Sequence, residues 1–243
     1  MKDIHENEYA VRVINTDLFN LCRPSSLMDF LQEAATEHAV RLKIAREDLA
    51  DKHAIWMLVR LKYTLLRPIR GGEKLRVQTS YRKPKGVYIL RDFELFVGDE
   101  HVGSALSTWV LADAENRTLL RSEDVLPALG EEDPEDEGKE KLGKIRMPRE
   151  MEDAGERVIG YSETDVNGHA NNTRYADYAC DAMHFEACAG QYIREMQITY
   201  SAECLAGQTI HLQRQRVENT VYVRGVDKDG KPHFDIRMEL AEI

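Results

Sequence analysis

The amino-acid sequence carries one supersecondary unit written twice, and this repeat limits the chain to architectures that pair or stack two copies of that unit. In the first half Leu27, Phe30, Leu31, Ala34, Ala35 and His38 recur at the i, i+3, i+4, i+7, i+8, i+11 spacing of one helix face. At an offset of 148 stand Tyr175, Tyr178, Ala179, Ala182, Met183 and Glu186, the same stripe with a polar last position. Pro24 with Ser25 and Ser26 predicts the start of the first helix, and Asn171 with Asn172 the start of the second. Alanines in the middle of both stripes leave room for a sheet to approach closely. A second match, at an offset of 135, lays residues 60–78 on 195–213 and brings Thr64 onto Thr199, Gly72 onto Gly207 and Gln78 onto Gln213. The smaller offset predicts about thirteen fewer residues between helix and strand in the second half.

Further strands are predicted at 87–97, 101–113, 209–217, 221–227 and 234–241, from alternating apolar and polar residues between turn signals. Each half is therefore a strand, one long helix and a series of antiparallel strands, and the helix has to bury its stripe against the sheet. That is an α+β unit. Residues 131–141 carry seven acids, a proline and a glycine, which is linker composition. The expected organisation is a first unit over 1–130, an acidic linker over 131–150, mobile over 131–141, and a second unit over 151–243.

Chemistry concentrates in the second unit. Asp165, Asn167 and His169 occupy alternate positions just before the second helix start, gathering a carboxylate, an amide and an imidazole. In an extended stretch these side chains point the same way, and the helix beside them offers unpaired N–H groups and a positive dipole end for a developing oxyanion. The same residue types also build ordinary turns and caps. A calcium loop counted from Asp165 would need Gly and Glu where Ala170 and Ala176 stand. A zinc site would need nitrogen or sulfur partners, and Cys180 and His184 lack a ligand spacing. In the first register Asp17 lies opposite Asp165, but Phe19 and Leu21 lie opposite Asn167 and His169; in the second, Pro68 lies opposite Glu203. One polar site facing one apolar half suits a substrate with a reactive head and a long hydrocarbon tail.

The net charge of −10 argues against a general nucleic-acid binder, yet positions 60–91 hold ten basic residues against Glu73 alone, a local +9 that leaves −19 elsewhere. On alternating strands these charges face outward, as a solvated face or as a docking surface for an anionic partner. Cys22, Cys180, Cys188 and Cys204 show no paired spacing, so reduced thiols are expected. With no apolar run long enough to span a bilayer and an acidic, polar N-terminus unlike a targeting peptide, the expected location is the cytoplasm.

These residues together give a resemblance. Leu27-Met-Asp-Phe-Leu-Gln-Glu-Ala-Ala-Thr-Glu-His38, Ile55-Trp-Met-Leu-Val-Arg60, Leu90-Arg-Asp-Phe-Glu-Leu95, Ser107-Thr-Trp-Val-Leu111 and the stretch from Tyr161 to Tyr178 are similar to the acyl-acyl carrier protein thioesterases, and the length looks more like the bacterial members. The resemblance covers nearly the whole chain. It implies an α+β fold of two tandem hot-dog domains, each a long helix wrapped by an antiparallel sheet, forming a pseudo-dimer. It further implies an acyl-chain pocket and a basic face in the first domain, catalysis in the second, and no cofactor or metal. The catalytic set it implies is Asp165, Asn167, His169 and Glu203. Cys204 matches a cysteine beside that glutamate in plant members and is left outside the set, because a thiol needs a depressed pKa to act.

The implied reaction is hydrolysis of acyl-acyl carrier protein to free fatty acid, ending fatty-acid synthesis. Asp165 would attack directly or orient a water, with His169 as acid/base and Asn167 and Glu203 positioning substrate and water. The implied partner is acidic acyl carrier protein, steered by the basic face and in particular by Lys83 and Lys85. The chain would be a monomer or a homodimer. A hot-dog hydratase or dehydratase and a non-catalytic acyl-chain binder are the competing classes.

Overall fold

The structure is a computed structural model that describes residues 3–84, 86–126, 129, 136 and 138–243. Its first half runs β1 (His5–Ala10), α1 (Pro24–Arg41), α2 (Arg46–Ala50), β2 (Ala54–Leu65), β3 (Lys74–Tyr81), β4 (Ile89–Val97), β5 (Glu100–Asp113), β6 (Leu119–Leu120) and α3 (Ser122–Val125). The second half runs β7 (Glu152–Val158), α4 (Arg174–Ala182), β8 (Gln191–Tyr200), β9 (Thr209–Val217), β10 (Thr220–Val226) and β11 (Pro232–Glu242).

Among the described residues the strands form one 11-stranded sheet in the order β1-β3-β4-β5-β2-β8-β11-β10-β9-β7, with β6 paired to β5. The order is palindromic once each strand is matched to its repeat. The two halves meet antiparallel at β2 and β8, where Arg60 pairs with Thr199, Lys62 with Gln197 and Thr64 with Glu195. Since Gln197 is Lys62 advanced by 135, the pseudo-twofold axis passes through that pair, and the strand register read from the sequence is the register of the sheet.

The helix stripes are buried as their spacing requires. Leu27, Leu31, Ala34 and His38 of α1 and Tyr175, Tyr178, Ala179 and Ala182 of α4 are at most 5% exposed. All of these except His38 share one hydrophobic core that also takes Tyr63, Val77 and Leu95 from the first half and Met196, Val223 and Ile236 from the second. Arg174 of α4 pairs with Asp29 of α1 at 3.0 Å, so the helices also meet directly. A second core around Ile44, Leu49, Tyr81, Ile89 and Leu111 seats α2 and α3. This is the tandem hot-dog arrangement.

Two expectations need correction. The second helix has 9 residues against 18 in the first. It closes at Met183, His184 turns into the left-handed region (φ 56°) and Glu186 falls in a separate 3-10 turn. Much of the shortfall that the sequence placed after the helix is taken out of the helix itself. The expected linker is also bonded to the sheet at Glu140, Leu142 and Gly143. Arg60 Nη1 donates to the Leu142 carbonyl at 3.0 Å, Gln197 Nε2 to the Gly143 carbonyl at 2.8 Å and Arg82 Nη1 to the Glu140 carbonyl at 2.6 Å. Leu142 is only 5% exposed, so this segment is strapped across the outer face of the sheet at the β2·β8 seam.

Candidate active site

The segment that carries Asp165, Asn167 and His169 is a tight turn, not the extended stretch its alternation suggested. Thr164 bridges to Ala170, the Asp165 N–H donates to the His169 carbonyl at 2.8 Å, and the Gly168 N–H donates to the Asp165 carbonyl at 3.0 Å. Gly168 sits at φ 75°, where a Cβ would be strained. The Asp165 carboxylate accepts the Asn167 N–H at 2.8 Å and lies 3.4 Å from the Asn167 side-chain amide, an Asx turn.

The first half repeats the main-chain bonds of this turn. Thr16 bridges to Cys22, the Asp17 N–H donates to the Leu21 carbonyl at 2.8 Å, and Asn20 takes the left-handed position at φ 61°. The Asp17 carboxylate accepts the N–H groups of Phe19 and Leu21, each at 2.9 Å. The aspartate therefore builds the turn in both halves. What differs is what the turn presents, Phe19 and Leu21 in one half and Asn167 and His169 in the other.

The second turn is stitched to the segment that follows β8. The Ala170 N–H donates to the Cys204 carbonyl at 2.8 Å, and His169 bridges to Leu205. This stitching sets His169 Nε2 at 3.2 Å from Glu203 Oε2, the imidazole side chain 17% and the carboxylate 37% exposed. The described contacts thus resolve the four residues into two pairs, Asp165 with Asn167 and His169 with Glu203.

Asn171 makes an Asx turn just ahead of the helix that follows. Its Oδ1 accepts both the N–H and the hydroxyl of Thr173 at 3.0 Å, the residue directly before α4. Beneath the turn, burial opposes ionisation of Glu163, but the Gly160 N–H and the Arg157 guanidinium outweigh it and hold the carboxyl below the usual range. Arg157 in turn lies over the Tyr178 ring at 4.3 Å, fixing the turn to α4.

Cys204 points the other way. It is fully buried, and burial pushes its thiol up to about 11 although the Tyr175 hydroxyl bonds to it, so it is not a thiolate near neutrality. Among the described residues no cluster of three or more His, Cys, Asp or Glu side chains is arranged to hold a metal ion.

A small apolar pocket of about 10 Å3, room for about one water, lies beside the helix start. Asn172 and Thr173 line one end, and Met28, Leu31, Leu61 and Phe93 of the first half line the rest.

One residue at the site had no sequence signal. Arg117, in the turn between β5 and β6, brings Nη2 to 3.5 Å from Glu203 Oε1. The connection spans the two halves, and neither periodicity nor a motif marks it.

The basic block is largely consumed within the fold. Arg91 is 1% exposed, stacked 3.8 Å from the Tyr81 ring centre and bonded to Thr79 and His38. Arg67 pairs with Glu73 and Glu100, Arg76 with Glu6, Lys74 with Glu8 and Arg82 with Asp92. Lys62 pairs with Glu140 of the strap and with Glu195. Lys83 is exposed but engaged in an interaction, and Lys85 lies outside the described residues. The outward alternation of Arg60, Lys62 and Arg76 holds, while Arg91 faces the core.

Two family models match the chain, acyl-ACP thioesterase N-terminal domain over residues 2–128 and acyl-ACP thioesterase C-terminal domain over residues 150–239. The chain belongs to the acyl-ACP thioesterase family. Two relatives of the family are a chloroplastic oleoyl-acyl carrier protein thioesterase of Coriandrum sativum, 20% identical over 82% of this chain, and a chloroplastic acyl-[acyl-carrier-protein] hydrolase of Cuphea viscosissima, 21% identical over 81%. The chain spans 59% and 51% of their respective lengths. Among solved structures, an acyl-ACP thioesterase from Bacteroides thetaiotaomicron superposes with a TM-score of 0.81 at 21% identity, covering 98% of both chains. The 12:0-ACP thioesterase from Umbellularia californica superposes with a TM-score of 0.80 at 16% identity, covering 99% of this chain and 98% of its own. At these identities the superpositions speak for the family's fold, two tandem hot dogs along the whole chain.

Proposed function

We propose that this protein hydrolyses the thioester of an acyl chain carried on acyl carrier protein, releasing free fatty acid and the carrier thiol. The observation that carries this reading is the His169–Glu203 pair, 3.2 Å apart, held three residues before the apolar cavity that ends at Asn172 and Thr173. Family membership supplies the substrate class; the residues supply the chemistry. The acyl tail would enter by parting the first-half side chains that line this small pocket, with its carbonyl at the start of α4, where helix N–H groups donate to the oxyanion.

In this reading His169, oriented by Glu203, takes a proton from a water that adds to the carbonyl carbon. The tetrahedral intermediate collapses by breaking the C–S bond, and the imidazolium returns the proton to the departing thiolate. Water supplies the oxygen of the fatty acid. Asp165 and Asn167 shape the turn and position the water. The symmetry of the fold favours this over attack by Asp165, because Asp17 makes the same kind of turn bonds in a half without His169 or Glu203 counterparts.

Two measurements test it. His169→Ala should lower the hydrolysis of acyl-acyl carrier protein by about 10²–10⁴-fold, the usual share of a general base. Near-normal turnover would remove His169 from the chemistry, and a product with an altered double bond instead of free acid would move the protein to the hydratase class. Turnover in ¹⁸O-water should leave the Asp165 carboxylate unlabelled; label there would establish the acyl-aspartate route.

Capture of the carrier protein belongs to the same proposal, and the pairing within the basic block points away from β2 and β3 as its docking face. Lys83→Glu should then change KM for the carrier-bound substrate more than for a small acyl thioester, and equal effects on both would exclude that lysine.

A further inference from the structure

We infer that Arg117, delivered from the first half of the chain, is a positioning residue that holds Glu203 against His169. The placement follows from the sheet. β8 runs antiparallel to β2, with Arg60 opposite Thr199, so the chain beyond Thr199 heads back along β2 towards its first residues. β5 is antiparallel to β2 on the other side and ends with Asp113 opposite Ala54. The turn after β5 and the segment carrying Glu203 therefore emerge at the same end of the sheet, on opposite sides of β2.

That turn is built to present one side chain. The Asp113 carboxylate accepts the N–H groups of Glu115 and Asn116, each at 3.0 Å, and the Arg117 N–H donates to the Asp113 carbonyl at 3.1 Å. Asn116 Oδ1 accepts the Thr118 N–H at 2.9 Å, and the Ala114 N–H donates to the His53 carbonyl at 2.8 Å, tying the turn to the start of β2. Arg117 itself occupies the left-handed region at φ 62°, a conformation that costs a non-glycine residue about 1 kcal/mol or more.

The consequence lies in how the Glu203 carboxylate is shared. Arg117 Nη2 stands 3.5 Å from Oε1 and His169 Nε2 stands 3.2 Å from Oε2. A glutamate side chain has three rotatable bonds, and one imidazole contact leaves it free to swing. A cation on the second oxygen restricts that freedom and keeps the carboxylate turned towards the imidazole. The two halves of the pseudo-dimer are thereby joined at the reacting end: one contributes the imidazole and carboxylate, the other the guanidinium.

The kinetic arm of the test rests on the thioesterase reading; the spectroscopic arm does not. Arg117→Ala keeps the backbone cost of the turn, so it isolates the side chain. We expect kcat to fall about fivefold with KM within about twofold, a modest loss because both partners are partly exposed. Arg117→Lys should recover most of the loss, since a lysine ammonium can meet the same oxygen. In a Glu203→Gln background, Arg117→Ala should cost nothing further. A rise in KM alone would overturn the proposal, because it assigns Arg117 to substrate binding, and so would full additivity with Glu203→Gln. Independently, the His169 ring resonances in NMR spectra should move in the same direction in Arg117→Ala and in Glu203→Gln. Resonances unchanged by Arg117→Ala in a folded protein would overturn the proposal whether or not the protein hydrolyses thioesters.

Discussion

Gly225 of β10 stands opposite Phe234 of β11, and its missing side chain is what lets that ring lie flat against the strand. A Cβ built at Gly225 would meet Phe234 Cε1 at 2.2 Å, Cζ at 2.5 Å and Cδ1 at 2.8 Å. Carbon atoms pack at about 3.5–4.0 Å, so Gly225→Ala requires the ring to retreat by more than ~1 Å. It has nowhere to go. Phe234 is fully buried, with the Tyr175 ring edge-on at 5.0 Å and the Tyr178 ring tilted at 6.3 Å. Overpacking of this kind costs about 1–3 kcal/mol, to which a disturbed aromatic pair adds about 0.5–1.5 kcal/mol. A total near 3 kcal/mol in a chain of this size corresponds to a fall of roughly 6–12 °C in Tm. Thermal unfolding followed by circular dichroism measures it directly. Because Tyr175 and Tyr178 belong to α4, whose first turn borders the site, kcat should fall as well. Replacing Phe234 with Leu in the Gly225→Ala background should cost less than the two separate losses added together, since the new methyl then has room. A Tm within about 2 °C of the parent for Gly225→Ala would refute the packing argument.

Three further outcomes follow from the structure. Cys204→Ala should retain hydrolysis within a few-fold, and iodoacetamide should alkylate the folded protein's Cys204 slowly at pH 8, because the thiol is buried and pushed up to about 11; rapid alkylation with loss of activity would restore it as a nucleophile. His38 is fully buried, and burial, reinforced by Arg91, lowers its pKa from 6.5 to about 4. Its folded value lies below its unfolded one, so its contribution is complete above pH 6.5 and is lost as pH falls towards 4. By linkage this is about 2 kcal/mol between pH 7 and 5. Urea unfolding should show that loss in the parent and not in His38→Gln, and equal pH dependence in both would contradict it. Finally, Asp17→Ala removes an acceptor from two N–H groups and Asp165→Ala from one backbone N–H, so the first should destabilise more, by about 1 kcal/mol. The reverse order in urea unfolding would show that Asp165 holds more than its turn.

The sequence by itself determined the duplicated architecture. The strand register at an offset of 135 reappears as the Lys62–Gln197 pair on the pseudo-axis, and the offset of 148 reappears in the matched turns at Asp17 and Asp165. Local periodicity and turn chemistry are properties of neighbouring residues, so they survive in one dimension. It also placed the polar groups in one half, because Phe19, Leu21 and Pro68 offer no hydrogen-bonding side chain where Asn167, His169 and Glu203 do. Where α4 stops was decided by packing, since its stripe continues on paper beyond Ala182 while the chain turns at His184. The fate of the basic block was decided by partners distant in sequence, such as Glu6, Glu100 and Glu140, and a run of charges gives no sign of the acids that will cover it. Tertiary structure alone brought Arg117 to Glu203, through two strands that flank β2 and end together, because a contact between residues 86 positions apart leaves no periodic trace in either segment.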